Sequence, residues 1–136
     1  MVRYVFALVV MVLSGPALAE NGSFASYQEL RHQLDPLVKS RQMAAVLTLF
    51  GGSDEMTPEE LKRLDEQVLS LYKQDFTQVQ LINRVDLANG WRQEMLGYWV
   101  GYQYIYVYML LQQLPDELRA VQFKFNSDFE RIFSNF

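Results

Sequence analysis

Ten residues of this chain, 102–111, alternate so strictly that they leave little choice of backbone conformation. Tyr102, Tyr104, Tyr106 and Tyr108 share one parity, while Ile105, Val107, Met109 and Leu111 share the other. Successive strand side chains point to opposite faces, so an extended backbone sorts these residues into an aliphatic face and a tyrosine face; a helix scatters both sets. The stretch 98–111 therefore predicts a central strand of an antiparallel sheet whose two sides meet different neighbours.

The flanking segments extend the pattern. From Phe76 the hydrophobic period is 2, with Val79, Leu81 and Val85 alternating with Gln78, Gln80 and Arg84. Asn89-Gly90 then follows, the pair favoured in tight hairpins because both central residues need positive φ. With those two as the loop, the returning strand over 91–99 places Leu81 opposite Tyr98 and Asn83 opposite Leu96. With Val100-Gly101 as the next loop, Trp99 faces Tyr102, Gly97 faces Tyr104 and Met95 faces Tyr106. The two registers agree on an inner face of Val79, Leu81, Val85, Leu96, Tyr98, Ile105, Val107 and Met109. The other face carries Gln80, Arg84, Met95, Gly97, Trp99 and the four tyrosines; a slip of one residue exchanges the faces. Asp86 and Glu94 fall on opposite faces in this register. Past a loop at 112–117, Val121, Phe123 and Phe125 alternate with Gln122, Lys124 and Asn126 as a fourth strand.

Upstream the period is helical. Ser26-Tyr27-Gln28-Glu29 has the capping-box pattern, with Leu30 and Leu34 at helical spacing after it, predicting a helix over 26–34. Proline lacks an amide proton and restricts the residue before it, so Asp35-Pro36 predicts a break and a second helix over 36–50, ended by Gly51-Gly52. Thr57-Pro58-Glu59-Glu60 opens a third, over 57–73, with Leu61, Leu64, Val68, Leu71 and Tyr72 as its apolar stripe. Ser127-Asp128-Phe129-Glu130 predicts a last short helix over 128–134. The reading is an α+β domain over 20–136: N-terminal helices packed on a curved four-stranded antiparallel meander, with a short C-terminal helix.

The first nineteen residues carry one cation, Arg3, an apolar run from Tyr4 to Leu13 and a closing Ala17-Leu18-Ala19. That layout predicts a signal peptide cut after Ala19, hence a periplasmic or secreted protein; a run of about ten apolar residues falls short of the roughly 20 that span a bilayer. The remaining 117 residues suffice for one core, and carry 11 basic against 16 acidic side chains. A net negative chain without a basic cluster predicts no nucleic-acid partner, and after cleavage no membrane anchor. The absence of cysteine excludes disulfides and thiolate metal sites.

The order of elements, with Phe50-Gly51-Gly52, Thr57-Pro58-Glu59-Glu60 and the ending Val121-Gln122-Phe123-Lys124-Phe125-Asn126-Ser127-Asp128, resembles the nuclear-transport-factor-2-like superfamily, specifically its small exported bacterial members. The resemblance implies a cone of sheet closed by helices, often paired through the sheet, in members ranging from enzymes to scaffolds. The chain departs from it in having no short strand between the second and third helices. No carboxylate or His-Asp pair matches the family's catalytic positions.

No Ser-His-Asp order, phosphate loop or zinc motif appears, so neither catalytic residues, cofactor nor metal are assigned. His32, the one histidine, reads as a surface side chain. Each large ring can bury about 150–250 Å², which makes the tyrosine face the candidate contact surface: Trp99, Tyr102, Tyr104, Tyr106 and Tyr108, with Arg84 and Lys124 beside it. Its expected cover is a homodimer partner or the chain's own termini; a small-molecule ligand stacked on the rings is the other candidate. The leading expectation is a non-enzymatic binding or assembly domain that self-associates through this face. The alternative is a small-molecule enzyme, an isomerase, dehydratase or hydrolase, using Asn83, Glu94 and Tyr98 on the helix side.

Overall fold

Four long antiparallel strands and three helices carry most of the chain, which a computed structural model describes over 22–136 together with the backbone of 9–12. In chain order the elements are β1 Val9–Val12, β2 Ser23–Phe24, α1 Tyr27–Lys39, α2 Met43–Leu49, α3 Pro58–Leu71, β3 Gln78–Asp86, β4 Trp91–Val100, β5 Gln103–Gln113, β6 Leu118–Asn126 and α4 Phe129–Phe133. Consecutive strands pair in the order β6-β5-β4-β3, and the short β1 and β2 both lie along the outer edge of β6. The expected α+β class and the four-strand meander are present, with the two short strands added. The expected leader lies outside the described residues except for β1.

Helices α1 and α3 begin where their caps say. Ser26 Oγ accepts the amide of Glu29, and Thr57 and Glu60 form a full reciprocal box. The expected break at Asp35-Pro36 does not occur: α1 runs on to Lys39 with Pro36 inside it. His32, whose carbonyl loses its donor there, is exposed, and so is Pro36, so water can take the vacant bond. The helix ends instead at Arg41, whose φ of 62° and the bonds Arg41 N–Val38 O and Gln42 N–Leu37 O form a Schellman turn. Gly51 closes α2 in the same way, at φ 79°. Gln42 gives α2 no side-chain cap; Asp65, reaching from α3, accepts the Ala44 amide instead. At the C-terminal end the cap is Asp128, which accepts from Glu130 N, rather than Ser127.

Strand faces follow the sequence in β4 and β5, with loops of different length. Gly101 and Tyr102 form the second hairpin loop, so Trp99 pairs with Tyr104, Gly97 with Tyr106 and Met95 with Tyr108. This register is two residues from the expected one, which preserves parity and therefore the faces. The first hairpin turns through Leu87 to Gly90, with Asn89 at φ 61° and Gly90 at φ 84°, and shifts the pairing by one: Val85 meets Gln93 and Arg84 meets Glu94. A bulge at Ile82 shifts it by one more, so that Leu81 meets Leu96 and Val79 meets Tyr98. Between turn and bulge the expected faces are exchanged. Asn83 and Val85 lie on the outer side with Gln93 and Met95; Arg84 and Asp86 lie on the helix side with Arg92 and Glu94.

The main core lies between the sheet and α1–α3, where Leu30, Leu34, Val38, Val46 and Phe50 pack on Leu96, Tyr98, Ile105, Val107, Phe123 and Phe125. Phe50 stacks on Phe123 at 4.4 Å between ring centroids. A smaller core forms on the opposite side, where Ile132 of α4 meets Met95 and Tyr108.

Candidate functional site

The aliphatic parity of β5 is buried under the helices, so its tyrosine parity faces outward, as the alternation predicts. The outer side of β3, β4 and β5 then carries Gln78, Gln80, Asn83 and Val85; Trp91, Gln93, Met95, Gly97 and Trp99; and Tyr104, Tyr106, Tyr108, Leu110 and Gln112. None of these side chains is charged. Ile82 joins them from the bulge: a Cβ built on Gly97 would lie 2.6 Å from Ile82 Cδ1 and 3.6 Å from Tyr106 Cδ1, so the isoleucine occupies the space above that glycine.

The rings form one continuous string. Trp99 and Tyr104 lie 6.0 Å apart, and Tyr104 and Tyr106 6.2 Å apart with planes 2° from parallel. Phe129 of α4 meets Tyr106 edge-on at 5.4 Å, Phe133 stacks on Phe129 at 5.3 Å, and Phe136 meets Tyr108 edge-on at 5.4 Å. The chain's own C-terminal segment therefore covers one end of the face. It is pinned by Gln93 Nε2 donating to the Asn135 carbonyl and by Lys124 Nζ donating to Asn135 Oδ1.

This cover divides the sequence-predicted contact residues. Tyr108 is 2% exposed, with Lys124 lying 5.9 Å over its ring. Tyr106 is half-buried against Phe129. Tyr104 remains 39% exposed and Ile82 40%. Tyr102 is 98% exposed, but as a loop residue rather than a strand residue. Arg84 leaves the group altogether: it sits on the helix side, paired with Asp86 at 3.1 Å. The contributions of Ile82, Phe129 and Phe133 were absent from the sequence reading. Ile82 had a signal, since Leu81-Ile82 places two apolar residues side by side in an otherwise alternating strand.

The three helix-side candidates also divide. Asn83 faces the other way and its Oδ1 accepts the Arg84 amide. Glu94 and Tyr98 are both buried on the helix side, where they join one polar chain with α1. Tyr27 donates to Glu94 Oε1 at 2.6 Å and accepts from Arg31, Arg31 pairs with Asp35 at 2.9 Å, and Tyr98 donates to Asp35 at 2.7 Å. Arg92 closes the chain: its Nε is 2.9 Å from Glu94 Oε2, but off line for a hydrogen bond, so the contact is ionic. Its guanidinium also lies 4.7 Å over the Tyr27 ring. Burial, and after it the neighbouring Asp35 carboxylate, holds the Tyr98 phenol well above its ordinary range. Burial and then Glu94 raise Tyr27 as well. The two carboxylates and two guanidiniums balance, and every hydroxyl in the chain is engaged within it.

Among the described residues no group of three or more histidine, cysteine, aspartate or glutamate side chains is disposed to hold a metal ion, and no helix is long and apolar enough to cross a membrane. His32 is exposed on α1. Compared with protein-family models, with curated proteins and with solved structures, the chain matches none.

Proposed function

We propose that this chain is an exported, non-enzymatic assembly domain that associates with a second copy through the outer face of its sheet. One observation carries the reading: across three strands that face holds aromatic, aliphatic and amide side chains and no charge, and Tyr104 and Ile82 stay in solvent on it. An uncharged surface is self-complementary under a two-fold axis, and an exported chain with 11 basic against 16 acidic side chains meets least self-repulsion there. The order of three helices before a meander, and bulges at Ile82 and between Leu110 and Leu111 that bend a sheet, support the nuclear-transport-factor-2-like resemblance, whose members often pair through the sheet.

Ile82→Glu with Tyr104→Glu places two carboxylates on the face without touching the core. The expected outcome is a fall from dimer to monomer in light scattering with an unchanged circular dichroism spectrum. A wild-type protein that is already monomeric at high concentration rejects the proposal.

The enzyme reading draws on the convergence of Tyr27, Glu94, Tyr98 and Asp35. Against it stands their mutual engagement: both phenols donate to a carboxylate of the group and each acid is ion-paired with an arginine, with only Glu94 Oε2 and Arg92 Nε lacking a hydrogen bond, which suits a clamp between α1 and β4 better than groups waiting for substrate.

A further inference from the structure

We infer that the outer edge of β6 over 122–125 is a strand-acceptor site, and that the chain's own residues 9–12 fill it until the leader is removed. The release step rests on the export reading; the pairing does not. Val9 to Val12 run antiparallel to β6, with Val9 opposite Phe125, Val10 opposite Lys124, Met11 opposite Phe123 and Val12 opposite Gln122. These four residues lie inside the apolar run that reads as part of a signal peptide. One segment therefore has two uses. Three of the four are valine, whose branched Cβ suits a strand, and an extended segment needs a neighbour for its backbone N–H and C=O groups. The edge of β6 supplies that neighbour.

That edge is covered in two parts. The first is held by residues that stay after a cut at Ala19: Ser23 pairs with Arg119 and Phe24 with Leu118, Gly22 O accepts the Ala120 amide, and Ser23 Oγ donates to Glu117. Val121 is the extra residue of the bulge opposite Leu110 and Leu111, and it parts the two halves. The second part, 122–125, has β1 alone on its outer side among the described residues. Losing residues 1–19 thus strips 122–125 and leaves 118–120 covered. On the helix side the stripped edge is apolar, since Phe123 and Phe125 belong to the main core. Its one charged residue, Lys124, has its ammonium held on the outer face by Asn135. Backbone donors and acceptors beside apolar side chains take up an extended segment by strand addition, with main-chain bonds giving the affinity. The segment that fits is of the kind already there: apolar, rich in β-branched residues and antiparallel to β6.

Val10→Pro with Met11→Pro, in the full chain, removes two adjacent backbone donors, one of which points at β6 whichever way the ladder alternates. Hydrogen exchange is then read at the amides of 122–125 that point away from β5. The expected result is exchange at least tenfold faster than in the wild-type full chain, with 118–120 unchanged; equal rates overturn the inference. A peptide with the sequence of residues 7–14, flanked by lysines for solubility, should restore protection when added to this variant. No restoration overturns the acceptor site. A second readout leaves the strand intact, and the chain has no cysteine to confuse it. Val10→Cys with Lys124→Cys, directly opposite in the register, should close a disulfide under mild oxidation faster than Val10→Cys with Gln122→Cys, two positions out. Failure of the first pair to outpace the second rejects the pairing. The mass of the protein recovered from the cell envelope tests the export reading separately: a chain that still carries residues 1–19 removes the release step and leaves the pairing standing.

Discussion

Glu94 has no exposed surface, and a carboxylate so placed persists only because Tyr27 and Arg92 meet it. Removing one member of such a pair leaves the other buried and uncompensated, which costs about 3–5 kcal/mol. Glu94→Ala is therefore expected to lose that much stability in urea unfolding. Tyr27→Phe, which deletes one bond to a charged group, is expected to lose about 1.5–3 kcal/mol. The double variant should lose less than the sum, because the two side chains share an interaction. Alkaline stability follows from the phenols. Tyr27, Tyr72 and Tyr98 hold their protons more tightly when folded, chiefly through burial. Their contribution is complete below the unfolded tyrosine value of about 10 and is lost as pH rises through the raised folded values. Absorbance titration should show Tyr72 and Tyr98 ionising together with the loss of circular dichroism; ionisation within a native spectrum would contradict the burial argument. Strand parity places Glu94 and Tyr98 on the helix side, but not their partners, because Tyr27 and Glu94 lie 67 positions apart and no local pattern links them.

At the scale of elements, proline chemistry and strand alternation had different predictive value. Pro36 signalled a break that burial overrode: Leu30, Leu34 and Val38 form one fully buried stripe across it, and continuing the helix keeps all three in the core. Pro36→Ala should then stabilise the chain by about 1–3 kcal/mol, by restoring a donor to the turn above and relieving the ring; an unchanged or lowered melting temperature would count against this. The Asn89-Gly90 signal located the hairpin and its positive φ values, though not the loop length. Gly90 has a further reason to be glycine, since a Cβ there would lie 2.7 Å from the backbone oxygen of Gln113. Gly90→Ala is accordingly expected to cost about 1–3 kcal/mol in thermal unfolding. Loop length and bulge together decided which face Asn83, Arg84 and Val85 occupy. Alternation fixes relative parity within a strand, and an inserted residue resets it, so β4 and β5 were read correctly while the end of β3 was not.

For the molecule as a whole, the division of labour between the two sheet faces was legible: helices take Ile105, Val107 and Met109, and the tyrosine parity is left to something else. Part of that something is the chain's own last helix, in keeping with the termini as one expected cover, although the sequence does not say how far over the face a five-residue segment reaches. The remaining bare surface leads to a thermodynamic expectation. A contact built from rings, aliphatic groups and neutral amides, with no ion pairs across it, draws much of its strength from the release of ordered solvent, and that driving force fades as water is cooled. Dissociation on chilling, with little response to added sodium chloride, is the behaviour to look for in calorimetry and sedimentation; a complex that instead loosens steeply with salt would be held by groups lying beyond this uncharged surface.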